Sequence, residues 1–183
     1  MTNQPDQRFT MILTGNKIKK ENKKGNITIN PFDCDNISTN SYDLALGNTY
    51  IEYAEEIIDP KRNNDYSEKT IPESGLLLDK GSFILASSQE KIGSDQYVPI
   101  IHAKSSIARL GLFVHVTADL IDIGSHGTVT FQLYATSSVR IYQSMKIGQV
   151  SFWVPKGNIS LYDGKYANSN GPQPSKSYLS FKD

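Results

Sequence analysis

Apolar positions along this chain recur mostly at intervals of two, in short runs cut by turn residues. Ile27-Thr28-Ile29 alternates until Pro31 breaks it. Tyr42-Asp43-Leu44-Ala45-Leu46 alternates up to the turn signal Gly47-Asn48, and Thr49–Glu56 offers another run. The charged, proline-bearing stretch 59–75 reads as a long surface loop. Short β-rich runs follow at Leu76–Leu78, Ser82–Ala86, Val98–His102, Leu112–Val116, Thr128–Tyr134, Val139–Ile141 and Gln149–Val154. Gly, Asp, Ser or Pro separates each from the next. Period-two alternation puts successive side chains on opposite faces of a sheet, and many short strands at this spacing predict an all-β barrel or sandwich. Two short helical segments interrupt them. One covers residues 15–24, with Thr14 at the capping position and Gly25 where a C′ glycine stops a helix; the other is a single turn around Ser106–Leu110. Strands and helices do not alternate, which argues against a doubly wound sheet.

The pattern is sharpest along 128–134. Val129, Phe131 and Leu133 share one face; Thr128, Thr130, Gln132 and Tyr134 share the other. Such a regular polar face either meets solvent or lines a wet pocket. The ends differ from this middle. Residues 1–10 are polar and aperiodic and read as a disordered leader before a β domain over 11–160. Residues 161–183 are rich in Gly, Pro, Ser and Asn, yet keep Tyr162, Lys165, Tyr166 and Tyr178. A structureless tail would lose its aromatics, so this reads as a lid segment that docks when something binds, or else as an extended tail packed on a neighbour.

Composition narrows the function classes. The 183 residues carry 19 basic and 19 acidic side chains, without the positive excess that marks a nucleic-acid binder. The lysines within 15–24 read as a solvated helix face. A single cysteine, Cys34, rules out an internal disulfide and any zinc site needing two thiolates. No apolar run approaches the ~20 residues of a membrane span, and the first residues lack the apolar core of a signal peptide. A cytoplasmic protein with no membrane or nucleic-acid partner is expected.

Metal and nucleophile motifs are sparse. His102, His115 and His126 form no His-x-x-x-His pair, and the H-x-E and P-C-x-x-C of zinc nucleotide deaminases are missing. Neither a G-x-S-x-G elbow nor a phosphate-binding glycine loop occurs. Polar chemistry concentrates in two places. Lys104, Ser105, Ser106 and Arg109 lie where a strand gives way to a turn; two cations and two hydroxyls suit a phosphate chain, or form a capped turn with an exposed Arg. Asp122 sits between apolar residues just before Gly124, a strand-end position where a carboxylate can face a cleft.

The residues then carry a family resemblance. The stretch Lys104-Ser-Ser-Ile-Ala-Arg-Leu-Gly-Leu-Phe-Val-His-Val-Thr-Ala118 is close to R-S-S-L-A-R-L-G-L…H-V-T-A, and Ile121-Asp122-x-Gly124-x-x-Gly127 continues it to the strand with Gln132. Ile29-Asn-Pro31, Ser41-Tyr-Asp-Leu-Ala-Leu-Gly-Asn48, Gly81-Ser-Phe-Ile-Leu-Ala86, Ile147-Gly-Gln149, Gly164-Lys165-Tyr166 and Gly171-Pro-Gln-Pro-Ser175 also match. Over roughly residues 11–180 the chain resembles the dCTP deaminase branch of the dUTPase-like superfamily. The resemblance implies a distorted β-barrel or jelly-roll subunit in a homotrimer. Active sites would lie between subunits, the C-terminal segment would close over bound nucleotide, and Mg2+ would enter with the triphosphate rather than on protein ligands. It further implies phosphate contacts at Lys104, Ser105, Ser106, Arg109 and Lys165, and pyrimidine reading at Val116, Thr117, Ala118 and the side chain of residue 132. Tyr162 and Tyr166 match lid aromatics. Ser105, residue 132 and Asp122 match catalytic positions, Asp122 being the one that orients the attacking water in dUTPases.

The chain departs from that pattern in four places. Gln132 stands where family deaminases have the Glu that relays protons as water adds to C4 of cytosine, a step that uses no zinc. Lys104 replaces an Arg, giving a point charge for a bidentate fork. Leu120 stands where some members have a phosphate-binding Arg, and Ser169 where the lid often has Gln. Three functional readings follow: hydrolytic deamination of dCTP to dUTP and ammonia, with the Glu position held by Gln132; hydrolysis of a dUTP-like triphosphate to monophosphate and pyrophosphate through Asp122; or nucleotide binding without turnover.

Overall fold

The computed structural model describes residues 11–115 and 117–181; the leader expected over 1–10 and the base-reading position Val116 lie outside them. The order of elements is α1 (Gly15–Lys24), β1 (Thr28–Asn30), β2 (Tyr42–Tyr53), β3 (Tyr66–Thr70), β4 (Leu76–Leu78), β5 (Phe83–Gly93) and β6 (Val98–Ala103). Then come α2 (Ser105–Ala108), β7 (Leu112–Val114), β8 (His126–Ala135), β9 (Val139–Ile141) and β10 (Lys146–Trp153). Hydrogen-bonded neighbours run β6-β10-β2-β5-β8-β7, with β3 on β2 and β1 on β5, while β4 and β9 form a separate pair. The pairings are antiparallel. The two ends of the path, β6 and β7, approach each other, so the sheet curls into a nearly closed, distorted barrel. The all-β expectation holds, with its two short helices.

Two local expectations change. Gly47-Asn48 does not end a strand: β2 runs through it for 12 residues. The glycine is needed because β5 passes close by; a Cβ there would lie 2.8 Å from the Ser87 hydroxyl and 3.0 Å from its carbonyl oxygen. The β2–β5 register slips between Leu46 and Tyr50, and a bulge of this kind bends a strand so that it can serve two neighbours. The buried carboxylate of Glu90 closes the gap by accepting the Ala45 N–H at 3.1 Å, and burial pushes its pKa up. The 59–75 stretch is not all loop either. Tyr66–Thr70 pairs with the far half of β2 as an edge strand, its exposed polar residues hiding the alternation.

Helix α1 ends as its sequence indicates. Gly25 takes φ 79° and its N–H bonds the carbonyls of Asn22 and Glu21. The Thr14 side chain makes no capping bond; its carbonyl instead accepts the N–H of Lys17 and Ile18. The helix buries Ile18 and Glu21 and leaves Lys19, Lys20 and Lys23 in solvent. Glu21 is enclosed by Asn26 at 2.6 Å, Lys17 at 2.9 Å and Lys24 at 3.1 Å. These donors, the Asn26 amide above all, hold its pKa down at about 2.

The barrel interior is filled by the inward halves of the alternating strands. Tyr42, Phe131 and Phe152 are the largest wholly enclosed side chains, each contributing on the order of 2–3 kcal/mol through apolar burial. The Tyr42 hydroxyl keeps polar partners there, accepting from Asp33 N at 2.9 Å and Asn36 Nδ2 at 3.3 Å. Among the described residues no helix is long and apolar enough to cross a membrane.

Candidate functional site

Strand β8 lies between β5 and β7, and its two faces separate as the alternation predicts. Val129, Phe131 and Leu133 are 6%, 0% and 0% exposed, whereas Thr128, Thr130 and Gln132 line a cavity of about 600 Å³ on the other side. Three residues of the polar face therefore border a pocket, while the fourth, Tyr134, is exposed and lies off it. On β5 the register slips between Ser87 and Lys91. Ser88 bridges the slip: its hydroxyl accepts the Val129 N–H at 2.9 Å and donates to the Glu90 carbonyl at 2.7 Å.

The second wall comes from the chain beyond β7. His115 turns it with φ 57°, a left-handed conformation that costs a non-glycine residue and is held here by surrounding bonds. Its N–H bonds the Gln132 carbonyl at 3.1 Å, and its ring meets Phe131 edge-on, centroids 6.3 Å apart. The ring is buried and, among the described residues, Nδ1 has no hydrogen-bond partner. Burial lowers its pKa, so the ring is neutral near pH 7. The same turn brings Thr117 back over β8, where its hydroxyl donates to Gln132 Oε1 at 3.0 Å.

Asp122 forms a third part of the rim and also borders a second, more apolar cavity of about 470 Å³ lined by Leu120, Ile159 and Leu161. Its loop is pinned at several points. The Asp122 carbonyl accepts from Ser125 N at 3.0 Å, Gly124 N–H reaches Ser94 O at 2.8 Å, and Tyr162 N–H reaches Ile123 O at 2.8 Å. The last of these bonds starts the C-terminal segment beside the carboxylate.

That segment crosses β8 of its own chain. Thr128 N–H bonds Ser169 O at 3.0 Å, and the Ser169 hydroxyl returns to Thr128 O at 2.8 Å. Gly127 marks the crossing, because a Cβ there would sit 2.6 Å from the Ser169 carbonyl oxygen. Further along, Gln173 N–H bonds Thr130 Oγ1 at 3.0 Å and Ser175 N–H bonds the Tyr53 hydroxyl at 2.8 Å. Tyr162 and Tyr166 face the cavity, and the Tyr166 hydroxyl accepts from Lys176 N at 2.7 Å. Backbone groups of the tail and the Ser169 hydroxyl thus hold it to its own β domain, while the Tyr162 and Tyr166 hydroxyls accept bonds within the tail, a packing that neither reading of the sequence specified.

The structure brings Thr117, Ala118, Asp122, Gln132, Tyr162 and Tyr166 to one cavity. It keeps Lys104, Ser105, Ser106, Arg109 and Lys165 away from it. Lys104 is ion-paired with the buried carboxylate of Asp43, which also accepts from Gln149 Nε2 at 2.8 Å. Ser105 and Ser106 are exposed at the start of α2, and Arg109 Nη1 folds back onto the Ser105 carbonyl at 3.0 Å. Lys165 reaches Ser180 Oγ at 3.1 Å. Among the described residues, no Lys or Arg lines the cavity. Among the described residues, no three His, Cys, Asp or Glu side chains gather where a metal could be held. Two wall residues had no sequence signal of their own. Tyr53 acts through Ser175, 122 positions away, and His115 stood out only as part of the long family-like stretch.

Comparison with known proteins agrees over nearly the whole chain. Residues 12–154 match the family model described as dCTP deaminase-like. The chain is 40% identical over 173 residues to the dCTP deaminase, dUMP-forming, of Clostridium beijerinckii, spanning 94% of this chain and 99% of that one. It is 39% identical over 173 residues to the protein of the same name from Cytophaga hutchinsonii, again with 94% and 99% covered. Among solved structures, the 2′-deoxycytidine 5′-triphosphate deaminase of Agrobacterium tumefaciens superposes with a TM-score of 0.65 at 19% identity. That match covers 81% of this chain and 49% of the other, so the chain spans about half of that protein's length; the likeness is one of fold.

Proposed function

The chain belongs to the dCTP deaminase-like family, and from that membership we propose that it is a hydrolase of pyrimidine 2′-deoxynucleoside triphosphates. The base would lie against Gln132 and Thr117, and the phosphates would run past Asp122. The observation that carries this reading is that Gln132 and Asp122 border one cavity closed by the chain's own tail.

The relatives' name, dUMP-forming, describes two hydrolyses. One water replaces the C4 amine of dCTP, which leaves as ammonia. A second breaks the α–β phosphoanhydride, releasing pyrophosphate. Their product is thus dUMP, one step past the dUTP that the resemblance implies. In this chain the two ends of the cavity are unequally equipped. An amide at 132 holds a ring edge but takes no proton from water near pH 7, and a missing acid–base group costs ~10²–10⁴-fold. Asp122 retains a carboxylate that accepts a hydrogen bond from water and aims it at phosphorus. We therefore assign pyrophosphate release as the principal reaction, with deamination of dCTP residual.

The phosphates also need positive charge that the described residues lining the cavity do not supply. Lys104 and Arg109 lie off it, as do the hydroxyls of Ser105 and Ser106. We propose that a neighbouring copy presents this cluster, giving a homotrimer with shared sites. Three aromatic side chains on adjacent strands, Phe83, Phe113 and Tyr134, are 50%, 43% and 41% exposed, an apolar strip suited to such a contact. Mg2+ would arrive as part of the triphosphate substrate.

Product analysis tests the assignment. Pyrophosphate and dUMP should form from dUTP, faster than ammonia from dCTP, and Asp122→Asn should lower pyrophosphate release ~10²–10⁴-fold. Ammonia from dCTP without pyrophosphate from dUTP would overturn it.

A further inference from the structure

The Gln132 amide turns its oxygen toward Thr117. Thr117 Oγ1 donates to Gln132 Oε1 at 3.0 Å. Thr117 reaches that position because His115 turns the chain at φ 57° and bonds the Gln132 carbonyl with its own N–H. A hydroxyl has one proton to give, and here the amide oxygen receives it. The other end of the amide, Nε2 with its two N–H donors, is left for the cavity that both residues line.

The two pyrimidine edges differ at this point. A 4-oxo ring of the uracil type presents a carbonyl oxygen at C4, which accepts. A 4-amino ring of the cytosine type presents an NH2 group at C4, which donates. An amide nitrogen facing the base matches the first and opposes the second, leaving two donors face to face. A carboxylate at the same position would have the reverse preference.

We propose that the Gln132–Thr117 pair is a specificity element that selects 4-oxo over 4-amino pyrimidine deoxynucleotides. On this view Gln132 changes which base the pocket admits, beyond losing a proton relay. The inference rests on the pyrimidine-triphosphate reading of the cavity. The substrate would be supplied by reactions that deaminate at the cytosine level or phosphorylate a uracil nucleotide elsewhere.

Calorimetric titration with the α,β-imido analogues of dUTP and dCTP, each with Mg2+, tests it without turnover. The dUTP analogue should bind roughly 10- to 100-fold tighter, the range expected when a donor facing the bound base loses its acceptor. Thr117→Val keeps the shape and removes the hydroxyl, so the amide can turn over and the ratio should fall toward one; Thr117→Ser should keep it. Gln132→Glu should move the preference to the dCTP analogue. Equal or tighter binding of the dCTP analogue by the unmodified protein overturns the inference, as does a ratio unmoved in both Thr117→Val and Gln132→Glu. If neither analogue binds the unmodified protein, the pyrimidine-nucleotide reading itself fails.

Discussion

Thr128 and Ser169 exchange hydrogen bonds in both directions: the Thr128 N–H reaches the Ser169 carbonyl at 3.0 Å, and the Ser169 hydroxyl reaches the Thr128 carbonyl at 2.8 Å. Through this pair the central strand of the site and the C-terminal segment act as one unit. Ser169 is thus a structural fastener. A shorter side chain lets the two backbones approach, while its hydroxyl satisfies a strand carbonyl.

Gly127→Val should open that fastener. Its Cβ would strike the Ser169 carbonyl, and φ 150° suits glycine best. Amide exchange over 162–177 should quicken ~10-fold or more, corresponding to ~1.4 kcal/mol lost from local closure. Exchange of the core strand β2 should change little. Unchanged exchange in the tail would show that the crossing does not hold it.

Glu21 should make the fold acid-sensitive. With its carboxyl near pKa 2 when folded and near ~4.3 when unfolded, the folded state binds fewer protons across that window. Its stabilisation is fully present above about pH 4.3 and is lost as pH falls toward 2. At pH 7 Glu21→Gln should lower stability by ~1–3 kcal/mol. Urea unfolding of the two proteins should converge as pH drops to ~2.5; a constant gap would contradict the assignment.

His115 adds a second acid window. Burial lowers its folded pKa below the ~6.5 of the unfolded chain, so stability associated with it is present above pH 6.5 and declines below. NMR titration of the ring should give a midpoint below the ~6.5 of an unperturbed imidazole. A midpoint at or above 6.5 would show that the ring is not enclosed as described.

Lys104 and Arg109 should separate by readout, although they lie within one turn. Lys104→Ala leaves the buried Asp43 carboxylate without its ion pair, so unfolding should ease by ~1–3 kcal/mol. Arg109 is exposed and its guanidinium bonds the Ser105 carbonyl of its own turn. Arg109→Ala should leave the melting temperature alone yet weaken triphosphate binding ~10- to 150-fold. Light scattering should report a trimer in both variants; a micromolar monomer in the unmodified protein would remove the shared-site proposal.

Gln132→Glu should introduce the missing proton relay. Ammonia release from dCTP should rise ~10²–10⁴-fold, with pyrophosphate release from dUTP changed far less. The side chains are nearly isosteric, so the barrel should tolerate the exchange. No ammonia from a folded, nucleotide-binding variant would mean that position 132 does not act on C4.

Local pattern determined much of this protein. The alternation of Val129, Phe131 and Leu133 against Thr128, Thr130 and Gln132 is a two-residue period, and it assigns the faces of β8 without further information. Gly25 stops α1 for an equally local reason, the left-handed turn that glycine accepts. The long stretch from Lys104 to Ala118 carried the family, because so many specific residues in order do not arise from propensity. Local pattern misread Gly47, whose role depends on β5 passing 40 positions later in the chain, and it missed β3, whose strand character comes from pairing with β2. The contacts of the site lay further out of reach. The partnership of Thr117 with Gln132, the anchoring of Ser175 by Tyr53, the seat of the tail on β8 and the separation of Lys104 from the cavity each join residues distant in sequence. Only the closed path of strands decides which of them meet, since hydrogen bonds and packing act across space and leave no periodic trace along the chain.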